Sequence, residues 1–128
     1  NSDSRCHYSM IDYPCIKCKR ALKRGKYDMN KNLIEMVIFQ TNQEVSTEYF
    51  LQLYQELSKV LERDIAGFVR RSLTKDLRQD KWVEMIWWES MEAAQAALEK
   101  LPKIAEFQEY CSALADEKTK MFHLEEMA

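Results

Sequence analysis

Glycine is almost missing from this chain: 128 residues contain two, Gly25 and Gly67. Loops that cradle phosphate, and elbows that present a nucleophilic serine, need several glycines at fixed spacing. The backbone there must approach a ligand closely or turn through positive φ. GxGxxG, GxxxxGKS/T and GxSxG are therefore excluded, and with them the usual nucleotide-binding and serine-hydrolase chemistries. Histidine is as scarce, at two residues, and no HExxH occurs. No apolar run approaches the roughly 20 residues needed to cross a bilayer. The first residues also lack the apolar stretch of a secretory signal. The expected location is cytoplasmic, with no membrane partner.

What is present fits a globular domain: 46% hydrophobic and 31% charged residues. Charge is uneven along it. Residues 1–28 hold seven Lys/Arg against three Asp/Glu, and residues 29–128 hold twelve against eighteen. An acidic body argues against a nucleic-acid surface. The expected division is a basic, cysteine-containing, flexible N-terminal extension over 1–28 and a compact domain over 29–128. The stretch from Lys17 to Arg24 reads as a solvated tail rather than a contact for RNA or membrane.

That extension carries Cys6-His7 and Cys15-x-x-Cys18, four soft ligands that in principle suit tetrahedral zinc. One CxxC is a weak signal, and adjacent Cys6 and His7 chelate awkwardly. A redox pair would need a βαβ context that is missing. Free thiols and no bound metal are the expectation.

From Leu33 onward the pattern is regular. Leu33 to Gln40 is a β-rich run, followed by a polar turn at Asn42-Gln43-Glu44. Ser46 is a plausible N-cap, with Glu48 in the first turn. Phe50, Leu53, Tyr54, Leu57, Val60 and Leu61 then form one stripe of an amphipathic helix ending near Asp64. Phe68–Leu73 and Lys81–Trp88 read as strands joined by a charged turn. Ser90 caps a helix with Met91, Ala94, Leu98 and Leu101 on one face. Pro102 marks a helix–helix junction, and Ile104, Phe107, Cys111 and Leu114 line the next helix. Lys120–Glu125 is a final strand.

This order, βαββααβ, predicts a ferredoxin-like α+β fold, a four-stranded antiparallel sheet with helices on one face. The other face, expected to carry Val37, Phe39, Trp82 or Ile86 depending on register, wants a partner. A homodimer packed sheet against sheet would bury it.

The third strand ends in Trp87-Trp88-Glu89-Ser90. With the element order, this Trp-x-Ser signature resembles the antibiotic-biosynthesis-monooxygenase-like (dimeric α/β barrel) superfamily over about residues 31–127. The resemblance implies that Trp88 lines a cleft between sheet and helices. It implies a small aromatic or apolar ligand, no cofactor, and monooxygenase (oxidoreductase) chemistry. The alternative is a non-enzymatic dimeric α/β-barrel binding or stress-related module. Haem-degrading members pair this Trp with an Asn on the first strand and a His on the following helix. Asn42 lies at or beyond the strand end, and the helix from Lys103 to Leu114 has no histidine, so that chemistry is not expected.

Candidate catalytic residues are Trp88, His123 and Tyr54. Candidate ligand-binding residues are Trp88, Phe50, Tyr110 and Phe39. Each also has a packing reading. Trp87 and Trp88 point to opposite faces, since strand side chains alternate. Tyr49, Tyr54 and Tyr110 can direct hydroxyls into the cleft or stand at its rim. His123 has a pKa suited to a general base, or is structural. Glu35 and Glu84 interrupt apolar strands and are read as ion-pair partners of Arg70 or Arg71, with an acid in the cleft as the other possibility.

Overall fold

The computed structural model describes residues 32–128. The Cys6, His7, Cys15 and Cys18 cluster and the basic stretch lie outside the described residues. The elements run β1 (Leu33–Thr41), α1 (Thr47–Asp64), β2 (Phe68–Lys75), β3 (Trp82–Trp88), α2 (Met91–Lys100), a 3-10 turn (Leu101–Lys103), α3 (Ala105–Ser112) and β4 (Leu114–Glu125). The four strands form one antiparallel sheet ordered β2-β3-β1-β4. This is the ferredoxin-like α+β plan that the element order predicts.

α1 and α2 start where the capping chemistry says they should. Ser46 Oγ accepts the Tyr49 backbone N–H at 3.1 Å, and Ser90 Oγ accepts that of Ala93 at 3.0 Å. Each satisfies a donor that the first helical turn leaves unpaired. Phe50, Leu53, Leu57, Val60 and Leu61 are the buried stripe of α1. Met91, Ala94 and Ala97 are that of α2. Pro102 sits in the first positions of the 3-10 turn, where its missing N–H is harmless.

One glycine is needed for its geometry. Gly67, between α1 and β2, has φ 84°. A Cβ added there would collide with Cβ of Ala93 on α2. Its carbonyl accepts the Glu89 N–H at 2.9 Å, which ties the start of β2 to the end of β3.

The sheet's two faces are assigned differently from the expectation. Leu33, Val37, Phe39, Trp82, Ile86 and Trp88 are buried and face the helix layer. Among the described residues no element covers the other face. This open face carries Ile34, Met36 and Ile38 of β1, Val83, Met85 and Trp87 of β3, and Phe122 and Leu124 of β4, aligned by the ladder. Both parities of β1 and β3 are apolar, so hydrophobic alternation does not mark the inner face. Strands of that kind are typical of sheets covered on both sides.

β4 is also longer than expected, starting at Leu114 rather than Lys120. Its first part, Ala115-Asp116-Glu117-Lys118, is poor in strand formers. The ladder to β1 recruits it, with an irregularity between Ile38 and Gln40. Leu114 thereby belongs to β4, and α3 ends at Ser112. Asn42 fastens this corner, donating from its backbone N–H to the Ala113 carbonyl at 2.9 Å and from Nδ2 to that of Ser112 at 3.0 Å.

Candidate functional site

Inside the helix-covered face the apolar layer is broken by a polar cluster. Glu35 of β1 and Glu84 of β3 are buried, at 2% and 0% exposure. They occupy inward positions in strands whose other inward residues are apolar, so each needs a partner to offset lost hydration. The partners differ. Arg71 of β2 forms a buried ion pair with Glu84, and its Nε donates to Glu84 Oε2 at 2.7 Å. Arg71 Nη1 also donates to the Tyr54 carbonyl at 3.2 Å and to Ser58 Oγ at 3.1 Å, which links β2 to α1. Tyr110 of α3 donates its hydroxyl to Glu84 Oε1 at 2.7 Å. A neighbouring strand and a helix thus converge on one carboxylate of β3.

Among the described residues Glu35 has no ion-pair partner of its own. Its Oε1 accepts the indole N–H of Trp88 at 2.8 Å. Among the described residues no hydrogen bond reaches its Oε2. Burial pushes its pKa up to about 7; the Trp88 bond lowers it, the Glu84 charge raises it and Arg71 lowers it. The ion-pair reading therefore holds for Glu84 with Arg71. Glu35 is instead a buried acid on the wall of a small cavity, held by Trp88.

A small cavity of about 20 Å³ lies against this cluster, bounded by Glu35, Arg71, Glu84 and Trp88 on the sheet side and by apolar residues such as Leu57, Leu98 and Phe107 on the helix side. That is room for about one water molecule. An aromatic ring enters only if the helix-side wall parts from the sheet.

The sequence candidates are placed differently with respect to this cavity. Trp88 lines the cavity. Tyr54 and Tyr110 belong to the adjoining cluster, with the Arg71 guanidinium 3.9 Å from the Tyr54 ring centre and 5.3 Å from that of Tyr110. Burial raises the pKa of both phenols, that of Tyr110 strongly. Phe39 and Phe50 lie deeper in an aromatic stack with Trp82 and Tyr110, away from the cavity walls. His123 pairs with Glu35 across the ladder, and burial lowers its pKa to about 4. Trp87 points to the other face, with the Arg70 guanidinium 3.6 Å above its ring. Tyr49 is exposed. Among the described residues no group of His, Cys, Asp or Glu is arranged to hold a metal, and no helix is long and apolar enough to cross a membrane.

Glu35 and Arg71 are the site residues that the sequence undervalues. The available signal was a single acid at an inward position of an otherwise apolar strand.

No protein-family profile matches the chain, and no curated protein matches it by sequence. Solved structures do match. A point variant of SnoaB, a cofactor-independent oxygenase from Streptomyces nogalater, superposes with TM-score 0.63 at 14% identity, covering 77% of this chain and 95% of that one. A monooxygenase from the gene ActVA-Orf6 of Streptomyces coelicolor, solved with nanaomycin D, has TM-score 0.55 and 18% identity, covering 79% and 92%. A protein from Bacteroides thetaiotaomicron, provisionally assigned as an antibiotic biosynthesis monooxygenase, has TM-score 0.59 and 12% identity, covering 79% and 94%. At these identities the likeness is one of fold: the chain shares its ferredoxin-like α+β fold with these oxygenase and monooxygenase structures.

Proposed function

We propose that this chain binds a small aromatic or apolar molecule in the cleft between sheet and helices. The chemistry proposed there is monooxygenase-like and independent of a bound cofactor. The observation that carries the reading is the cavity beside Trp88, an apolar pocket with a few convergent polar groups, Glu35, Arg71 and Glu84. A fold shared with a cofactor-independent oxygenase and with a monooxygenase solved with nanaomycin D supports the ligand class. Trp88 supplies a flat apolar wall, and Tyr54, Tyr110 and His123 complete the surroundings.

The molecule works as a homodimer in this reading. Ile34, Met36, Ile38, Met85, Trp87 and Phe122 make an apolar sheet face that the helices leave open, and a second copy placed face to face covers it.

The test is a binding screen over quinones, anthrones and haem, with oxygen uptake followed in parallel, for wild type and Trp88→Phe. The expected result is binding of at least one aromatic class, weakened in Trp88→Phe while the fold survives. Failure of the folded wild type to bind any of them overturns the reading.

A further inference from the structure

Resting on the aromatic-cleft reading above, we propose that Glu35 is the proton acceptor of the cleft and that its ligand is a neutral acid, an aromatic carrying a phenolic or enolic O–H. The free oxygen of Glu35 takes that proton. The ligand's O–H bond breaks, its electron pair stays on the ligand oxygen, and a new O–H bond forms on the carboxyl.

Three features carry this. First, the charges at the cavity are unequally matched. Glu84 is compensated by Arg71 and by the Tyr110 hydroxyl. Among the described residues Glu35 is the cavity carboxylate without an ion-pair partner, and the hydrogen bond it receives there, from Trp88, occupies Oε1. Oε2 remains for a ligand. Second, the site is shielded from bulk solvent, with Glu35 and Glu84 2% and 0% exposed. Transfer from a neutral O–H to Glu35 leaves the net charge of the site unchanged. It moves that charge from a compact carboxylate onto a delocalised aromatic oxyanion, which loses less when water is removed. A ligand already charged would instead bring a second negative charge beside ionised Glu35. Third, the other titratable groups around Glu35 are poor acceptors. Tyr110 and Tyr54 hold their protons more firmly than usual. His123, opposite on β4, gives up its proton near pH 4 and is a weak base. Arg71 is a cation, and Glu84 is already bonded on both oxygens. The raised pKa of Glu35, about 7, suits a base working near neutrality.

The experiment uses 4-nitrophenol, whose phenolate is coloured, and its methyl ether 4-nitroanisole, which has no proton to give. Both are titrated into the full chain at neutral pH, with binding read by calorimetry and ionisation by the phenolate band. Wild type is expected to bind both and to show an enhanced phenolate band with the phenol alone. Glu35→Gln, which keeps an acceptor for Trp88, is expected to lose at least nine-tenths of that enhancement, measured on the fraction of phenol bound. Trp88→Phe is an independent check, because removing the indole donor makes Glu35 a stronger base. The pH midpoint of the bound band then moves up by half a unit or more. An enhanced band that persists in folded Glu35→Gln overturns the assignment, as does binding of the phenol by wild type without ionisation, or an unmoved midpoint in Trp88→Phe if Glu35→Gln does not fold. Binding of neither compound overturns the cleft reading itself, and the assignment with it.

Discussion

Glu35 and His123 stand directly opposite each other in the β1–β4 ladder, and burial moves their proton affinities in opposite directions. The Glu35 carboxyl, normally at 4.5, titrates at about 7, and the His123 imidazole, normally at 6.5, titrates at about 4. For Glu35 the folded state favours the protonated form. Its contribution to stability is full below pH 4.5 and is lost as the pH rises to about 7. For His123 the folded state favours the neutral form. Its contribution is full above pH 6.5 and is lost as the pH falls to about 4. Each is on the order of 3 kcal/mol across its window. Between pH 4.5 and 6.5 the two slopes cancel.

That cancellation is testable by urea unfolding at several pH values. The contribution of this pair to wild-type stability is expected to stay level from pH 4.5 to 6.5. Glu35→Gln leaves the His123 slope exposed, so stability rises with pH relative to wild type. His123→Gln leaves the Glu35 slope exposed, so stability falls with pH. Parallel profiles for all three proteins would show that burial does not act on the pair in this way.

Trp88→Phe removes the indole donor from Glu35 while keeping most of the ring volume. Loss of a buried hydrogen bond to a carboxyl is expected to destabilise by about 1–3 kcal/mol. Because that bond lowers the Glu35 pKa, the titration of the carboxyl carbon, followed by NMR, should move above its wild-type midpoint. An unchanged midpoint would mean that the indole N–H does not bond the carboxylate in solution.

Arg71→Met leaves Glu84 buried beside the Tyr110 hydroxyl without its cation. The expected loss is about 3–5 kcal/mol, since an uncompensated buried charge is worse than no charge. Adding Glu84→Gln to Arg71→Met should recover part of it. A double variant no more stable than Arg71→Met in chemical denaturation would contradict the pairing.

Met36→Lys places a charge in the middle of the open sheet face, between Met85 on β3 and Phe122 on β4. If two copies meet there, a buried unpaired charge separates them. Sedimentation at micromolar concentration should show a dimer for wild type and a monomer for the variant. A monomeric wild type would remove the dimer from the proposed function.

The parts of this architecture set by local rules were legible in the sequence. Ser46 and Ser90 announce helix starts through short-range capping, and the α1 stripe follows from its 3.6-residue period. The features that depend on register were not. Nothing local says whether odd or even residues of β1 face the helices, because Ile34, Met36 and Ile38 are as apolar as Leu33, Val37 and Phe39. The Glu35–Trp88 bond joins residues 53 apart in the chain and exists only once β1 and β3 are aligned. Glu35 could be recognised as an unusual acid, but its partner could not. The early start of β4 ran against local propensity, and pairing with β1 decided it.

Gly67 acts as a clearance gauge for a cavity that it does not touch. The only residue type that fits against Ala93 is one without a side chain, so the turn before β2 limits how far α2 stands from the sheet. α2 also carries Leu98, part of the helix-side wall beside Trp88. A methyl group at position 67 would act as a wedge, lifting α2 at its first turn and widening the gap between wall and sheet. The approach of α2 to the sheet is thus limited in part at this turn, away from the acids and aromatics that line the cavity.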